Sequence, residues 1–184
     1  MDASVVTIRR ATADDAAAIA RVRVESWRTT YRGMIPKTYL DGMSVESSAA
    51  LWTKVLTAAP ATISVFVAED ADGVLGFASG NRLAVPKLGF DSELSAIYLR
   101  PEFQRNGIGR RLYDAVAGAQ RGHGANGMIV WVIAANKGAR AFYEALGAGL
   151  LVEQAFEWDG LDLVEAGYGW HWNAGHGVEA ASAG

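Results

Sequence analysis

The chain has 184 residues, 51% of them hydrophobic and 20% charged, a balance that fits one folded soluble domain and not a disordered chain. A net charge of −3 argues against a general nucleic-acid binder, and the lack of cysteine excludes a disulfide scaffold, a thiol nucleophile and a Cys-based zinc site. The histidines, His123, His171 and His176, are scattered, so no metal site is expected, and no stretch approaches the roughly 18 apolar residues of a membrane helix, which makes a cytoplasmic protein without membrane contact the expectation.

In chain order, the β-branched run "VVTIR" at residues 5 to 9 reads as a strand, and Thr12 with Asp15 three residues on reads as a helix cap. The helix is expected over residues 14 to 31. Ala20, Val24, Trp27 and Tyr31 form its apolar stripe, and Arg21, Glu25, Arg28 and Arg32 its charged face. Gly33, Pro36 and Gly42 break the pattern into a loop with a short helical piece, and a second helix follows over residues 45 to 57. "SVFVAED" and "VLGFASGNRL" read as strands joined at Asp72-Gly73, and "SELSAIYL" as a third.

Beyond "RPEFQRNGIGRRL", residues 100 to 112, the residues Ile108, Leu112, Val116 and Ala119 repeat at helical spacing until "GHGANG". The strand "MIVWVI" comes next, then a helix capped by Asn136 with Ala139, Phe142, Tyr143 and Leu146 on one face. The last strands meet at Asp159-Gly160. This mixed order implies an α+β sheet with antiparallel hairpins and a parallel crossover through the helix that starts near Gly107. A single domain is expected over residues 4 to 172, with residues 173 to 184 a flexible tail of small residues. Trp158, Trp170 and Trp172 would mark an interface if exposed, or core or a dimer surface if covered.

The turn before the third helix suits an anion of pyrophosphate size. A helix N-terminus offers unpaired N–H groups and the positive end of the dipole. Gly107 and Gly109 let the backbone approach closely, and Arg105, Arg110 and Arg111 bring charge. Neither a P-loop nor a complete dinucleotide fingerprint is present, since Leu112 stands where the latter wants a third glycine.

"QRNGIG", residues 104 to 109, resembles the Q/R-x-x-G-x-G/A acetyl-CoA signature of the GNAT superfamily of N-acetyltransferases. "VIAANKGARAFYEALGA", residues 132 to 148, is similar to that family's second motif, and "IRRATADDAAAIARVRVESW" with "TYRGMIPKTYLDGMS" resembles a common bacterial branch of it. The resemblance implies a mixed, mostly antiparallel central sheet of about seven strands with helices on both faces, splayed between strands 4 and 5. It implies direct transfer of an acetyl group from acetyl-CoA, as co-substrate, to a primary amine of a small molecule or peptide, with no acyl-enzyme and no metal. A non-catalytic acyl-CoA sensor is the alternative, and a homodimer is compatible with the family.

Residue by residue, the resemblance gives the pyrophosphate to the backbone of Gln104, Arg105, Asn106, Gly107, Ile108, Gly109 and Arg110. It gives pantetheine to the main chain of Ile97, Tyr98 and Leu99 and to Asn136. Tyr143 is the implied general acid and Glu93 the implied base, directly or through water, with Glu69, Asp70 and Asp91 as competitors. Trp27 and Tyr31 are candidates for the acceptor wall, where substrate contact and core packing are both open. The negative net charge mildly favours a cationic acceptor.

Overall fold

A computed structural model describes residues 5–172; residue 4 and the proposed tail at 173 to 184 lie outside the described residues. Seven strands form one sheet in the order β1-β2-β3-β4-β5-β7-β6. They are β1 Thr7–Arg10, β2 Ser64–Asp70, β3 Gly73–Lys87, β4 Phe90–Leu99, β5 Gly127–Ile133, β6 Gly149–Trp158 and β7 Leu161–His171. The helices are α1 Ala16–Thr30, α2 Lys37–Gly42, α3 Val45–Ala58, α4 Ile108–Gly122 and α5 Lys137–Ala145. All pairings are antiparallel except β4 with β5, which follows from the crossover through α4. No helix among the described residues is long and apolar enough to cross a membrane.

Local chemistry sets the ends of these elements. The Thr12 N–H donates to the Asp15 carboxylate at 2.8 Å, and Arg9 forks onto both Asp15 (2.8 Å) and Glu69 (2.7 Å), tying β1, the start of α1 and β2 together. Of the expected stripe of α1, Ala20 and Val24 are buried and Trp27 and Tyr31 half-buried; Ile19 and Val22 are buried beside it, while Arg21, Glu25, Arg28 and Arg32 are exposed as the stripe requires. Arg28 then donates to the carbonyls of Leu40 (3.1 Å) and Met43 (2.9 Å), which fixes α2 against α1. One apolar layer lies between the sheet and α1 with α3, centred on Trp52 and Phe77. The other lies under α4 and α5, where Leu112, Val116, Met128, Val130 and Tyr143 meet.

The turn at Asp159 (φ 49°) and Gly160 (φ 76°) joins β6 to β7 as expected. The β2–β3 tip is Ala71-Asp72, one residue earlier than the expected pair, with Gly73 already in β3. A further hairpin was not anticipated: β3 runs on to Lys87 and turns at Leu88-Gly89 into β4. Pro86 argues against a strand in sequence; it is accommodated because the β3–β4 register shifts between Arg82 and Lys87. The tryptophans do not form an exposed patch. Trp170 is buried and its Nε1–H donates to the Leu146 carbonyl at 3.1 Å, Trp172 packs under Arg121, and Trp158 lies tilted against Trp27 and edge-on to Tyr39.

The β4–β5 pair is fastened at one end only, its register consisting of Glu93 opposite Ile129. At that end Asp91 accepts from the N–H groups of Asn126 (3.0 Å) and Gly127 (3.3 Å), and the Ser92 hydroxyl donates to the Gly127 carbonyl at 2.7 Å. The Phe90 ring lies against Gly127 and Gly169, where a Cβ would come within 2.9 and 2.3 Å of it. Only glycine permits that approach on both strands. Toward the other end, β4 and β5 diverge, which is the expected splay.

Burial alone would raise the Asp91 carboxyl, but the Asn126 and Gly127 N–H groups and Arg82 outweigh it and hold the group below the ordinary aspartate value of 3.8. The stability this clamp contributes is therefore complete above that value and is lost as pH falls through the folded one. Asp91→Ala should lower stability by about 2 kcal/mol, roughly 5 °C in Tm, at pH 7. Thermal unfolding followed from pH 7 to pH 3 should show the gap between wild type and variant closing on acidification.

Candidate active site

The end of β4 leads through a short 3-10 turn, Pro101–Phe103, into the segment before α4. Gln104 ties this segment back to the strand, its side chain donating to the Leu99 carbonyl at 3.0 Å. Arg105 (φ 63°) and Gly107 (φ 75°) then take left-handed conformations that bring the chain into the first turn of the helix. The first helical bond runs from the Arg111 N–H to the Gly107 carbonyl at 3.1 Å. Among the described residues, the backbone N–H groups from 105 to 110 donate to no protein acceptor. This row of donors carries the positive end of the α4 dipole, with Arg105 and Arg110 exposed beside it.

The row stands at the mouth of a cleft of about 780 Å³ between β4 and β5. Residues 94 to 99 of β4 form one wall and residues 130 to 132 of β5 the other, closed by Phe142, Tyr143 and Leu146 of α5 and by Ser26, Thr30 and Tyr31 of α1. On its other side β4 pairs with β3, with Ile97 opposite Ala78, Tyr98 opposite Phe77 and Leu99 opposite Gly76. A register shift at Ser95 reorients the strand as it enters the cleft. The edge of β4 facing the cleft is thus an unpaired strand edge, able to accept an extended ligand as an added strand.

Tyr143 is buried yet lines the cleft, and among the described residues its hydroxyl has no hydrogen-bond partner. Burial, and next the Tyr98 phenol, pushes that hydroxyl far above the ordinary tyrosine range, so it holds its proton at neutral pH. Burial likewise raises Tyr31 and Tyr98. The helix presenting Tyr143 is anchored by Asn136, whose side chain accepts from the Ala139 N–H at 3.1 Å. Asn136 also lines the cleft, so capping leaves it in reach of a ligand.

The sequence candidates divide clearly. Ile97, Tyr98, Leu99, Gln104, Arg105, Gly107, Gly109, Arg110, Asn136, Tyr143 and Tyr31 line the cleft. Ile108 does not: its side chain is buried, and its N–H is one of the unpaired row. Asn106 is exposed beside the turn. Trp27 stands behind Tyr31, ring centroids 4.8 Å apart, and is not part of the lining. Glu93 is also outside it, at the fastened end of β4 and ion-paired with Lys87 at 2.8 Å. Its competitors are engaged elsewhere: Glu69 with Arg9, Asp70 with the Asp72 N–H, Asp91 in the clamp. Sequence reasoning missed Ser26 and Thr30, whose spacing of four beside the apolar stripe was the available signal, and the Tyr98 side chain.

A sequence profile described as the acetyltransferase (GNAT) family matches residues 23–148. The chain belongs to the GNAT acetyltransferase family. It is 40% identical over 166 residues to the uncharacterized N-acetyltransferase YuaI of Bacillus subtilis, covering 90% of this chain and 92% of that one. The GNAT fold recurs in the PaiA N-acetyltransferase of Thermoplasma acidophilum, solved in complex with coenzyme A, at a TM-score of 0.65 and 21% identity over 88% of this chain and 98% of that one. It recurs also in YncA, a putative acetyltransferase of Salmonella typhimurium solved with acetyl-CoA, at a TM-score of 0.70 and 19% identity over 96% of this chain and 99% of that one.

In this GNAT chain the cap on α5 holds Tyr143 in place. Asn136→Ala should cost about 1 kcal/mol through the lost cap bond, read by denaturant unfolding. A larger weakening of coenzyme A affinity, measured by calorimetry on the same variant, is the expected sign of direct ligand contact.

Proposed function

We propose that this acetyltransferase binds acetyl-CoA in the β4–β5 cleft and transfers the acetyl group directly to a primary amine of a small molecule or peptide. The observation that carries the reading is the row of unpaired N–H groups from 105 to 110, continuous with the open edge of β4. The two fit one ligand, an anionic diphosphate at one end and an amide-bearing arm at the other. The PaiA and YncA structures, solved with coenzyme A and with acetyl-CoA, support the same choice.

Bound acetyl-CoA supplies a thioester carbonyl open to attack by an amine, with a thiolate as leaving group. The backbone of residues 105 to 110, with Arg105 and Arg110, holds the diphosphate. The main chain of Ile97, Tyr98 and Leu99 pairs with the pantetheine arm, and a β4 N–H polarises the carbonyl oxygen. Tyr143 keeps a proton for the departing sulfur. As the N–C bond forms and the C–S bond breaks, the ammonium nitrogen sheds two protons and keeps one; among the described residues no Asp, Glu or His lines the cleft, so they leave through water, and one makes good the proton that Tyr143 gives to sulfur. Glu93 is the carboxylate on β4 to which we assign the end of that water path.

The test is thiol release from acetyl-CoA across aminoglycosides, polyamines, amino acids and short peptides. Release with one class supports the reading; none, with acetyl-CoA shown to bind, contradicts it. Tyr143→Phe should lower turnover on the accepted amine about 100-fold while acetyl-CoA affinity changes little. Gly107→Val forces a β-branched residue into φ 75° and should sharply weaken acetyl-CoA binding while the far-ultraviolet circular dichroism is kept.

A further inference from the structure

Arg23, Trp27 and Tyr31 follow one another at four-residue spacing along α1, next to Ser26 and Thr30 of the cleft wall. The Arg23 guanidinium lies over the Trp27 ring, 4.9 Å from its centroid. Its charge acts on the hydroxyls of Tyr31, Tyr39 and Tyr98, which places it in the corner where α1, α2 and β4 meet. Trp158 closes this corner, 5.3 Å from Trp27 and 4.8 Å from Tyr39 between ring centroids.

Arg23 differs from the other half-buried arginines in having no counter-ion. Arg9 holds Asp15 at 2.8 Å, Arg82 holds Asp91 at 3.1 Å, Arg100 holds Glu25 at 3.4 Å and Arg140 holds Glu153 at 2.6 Å. Among the described residues Arg23 makes no ion pair and no hydrogen bond. Its contact with Trp27 orients the group without using its fork of N–H donors. Asp159, exposed at the β6–β7 turn, acts on the Tyr39 hydroxyl but does not pair with Arg23.

The neighbouring groups are also unspent. Ser26 Oγ and Trp27 Nε1 are buried with no hydrogen-bond partner, although the indole nitrogen faces the Tyr98 hydroxyl. An indole N–H only donates, and leaving such a group unpaired is costly. Two buried donors without a partner, Ser26 Oγ and Trp27 Nε1, beside a cation without a counter-ion and walled by aromatic rings, suit an anion and oppose a polycation.

We propose that Arg23 is a specificity residue that receives an acid group carried by the acceptor near its amine, so that the acceptor class is amino acids and related amino acids of other acids, not polyamines or aminoglycosides. This rests on the acetyl-transfer reading above. Arg23 and Trp27 stand outside the cleft lining, next to its Ser26 and Thr30 wall, so the acid is received at the cleft's α1 side and the amine is directed toward β4 and Tyr143.

The experiment pairs amines that differ only by a carboxylate: phenylalanine with phenethylamine, methionine with 3-(methylthio)propylamine, lysine with cadaverine. Thiol release gives kcat/KM for each, and calorimetry gives the affinity of the coenzyme A-loaded protein for each amine. The wild type should favour the carboxylated member of at least one pair by about tenfold or more, in rate and in affinity. Arg23→Gln should erase that preference chiefly through KM, Arg23→Lys should restore part of it, and acetyl-CoA affinity should stay within about twofold in both. Equal or better use of every decarboxylated amine, or a preference that survives Arg23→Gln, overturns the inference and leaves acetyl transfer standing. Silence with all amines while acetyl-CoA binds overturns the transfer reading and this inference together.

Discussion

The one-ended fastening of β4 to β5 is the constraint on which the rest depends. Asp91, Ser92 and Phe90 clamp the strand to residues 126 and 127 of the neighbouring chain segment, and the register reaches no further than Glu93 opposite Ile129. Beyond the clamp the twist of a sheet carries parallel neighbours apart unless ladder bonds hold them, and here none do. A strand edge left open in this way must find acceptors and donors from outside the sheet. In most proteins that is a liability. Here the open edge lies inside a cleft, opposite α5, and leads straight into the unpaired N–H groups before α4.

The chemistry of the cleft follows from the same geometry. The helix dipole, the backbone row and Arg105 with Arg110 give its mouth a positive character. Further in, Tyr31, Tyr98 and Tyr143 are all raised by burial and are therefore donors at neutral pH. Such an interior can hold negative charge and supply a proton to it. It has no carboxylate among its described lining residues, so under the proposed transfer proton removal from an amine falls to solvent.

What was legible in the sequence was local. The left-handed Gly107, the cap at Asn136 and the turn at Asp159-Gly160 are short-range devices whose residue types announce their conformation. Helical spacing gave the exposed face of α1 and half of its buried one, but missed Ile19, Val22 and Ser26. The Asp91 clamp was not legible, because it joins residues 35 positions apart and a carboxylate at a strand start looks like any solvated one. Glu93 was legible only as a position on β4: the clamp sets it at the closed end of the strand, so only a path through water could join it to the cleft. The β3–β4 extension was hidden by Pro86, whose usual meaning a register shift cancels.

Net charge gives a further case of global and local signals pointing apart. The chain carries −3, which by itself would draw cations toward it. That field is screened over about 8 Å at physiological ionic strength. Many of the acidic groups behind it are already matched: Asp15 and Glu69 by Arg9, Asp91 by Arg82, Glu25 by Arg100, Glu93 by Lys87, Glu153 by Arg140. A paired carboxylate offers little to an approaching ligand, whereas Arg23, half-buried against Trp27 and unmatched, keeps its full demand for an anion. Under the proposed selectivity the acceptor is chosen at contact distance in a half-buried corner, where the sign of the unpaired group outweighs the sign of the whole chain.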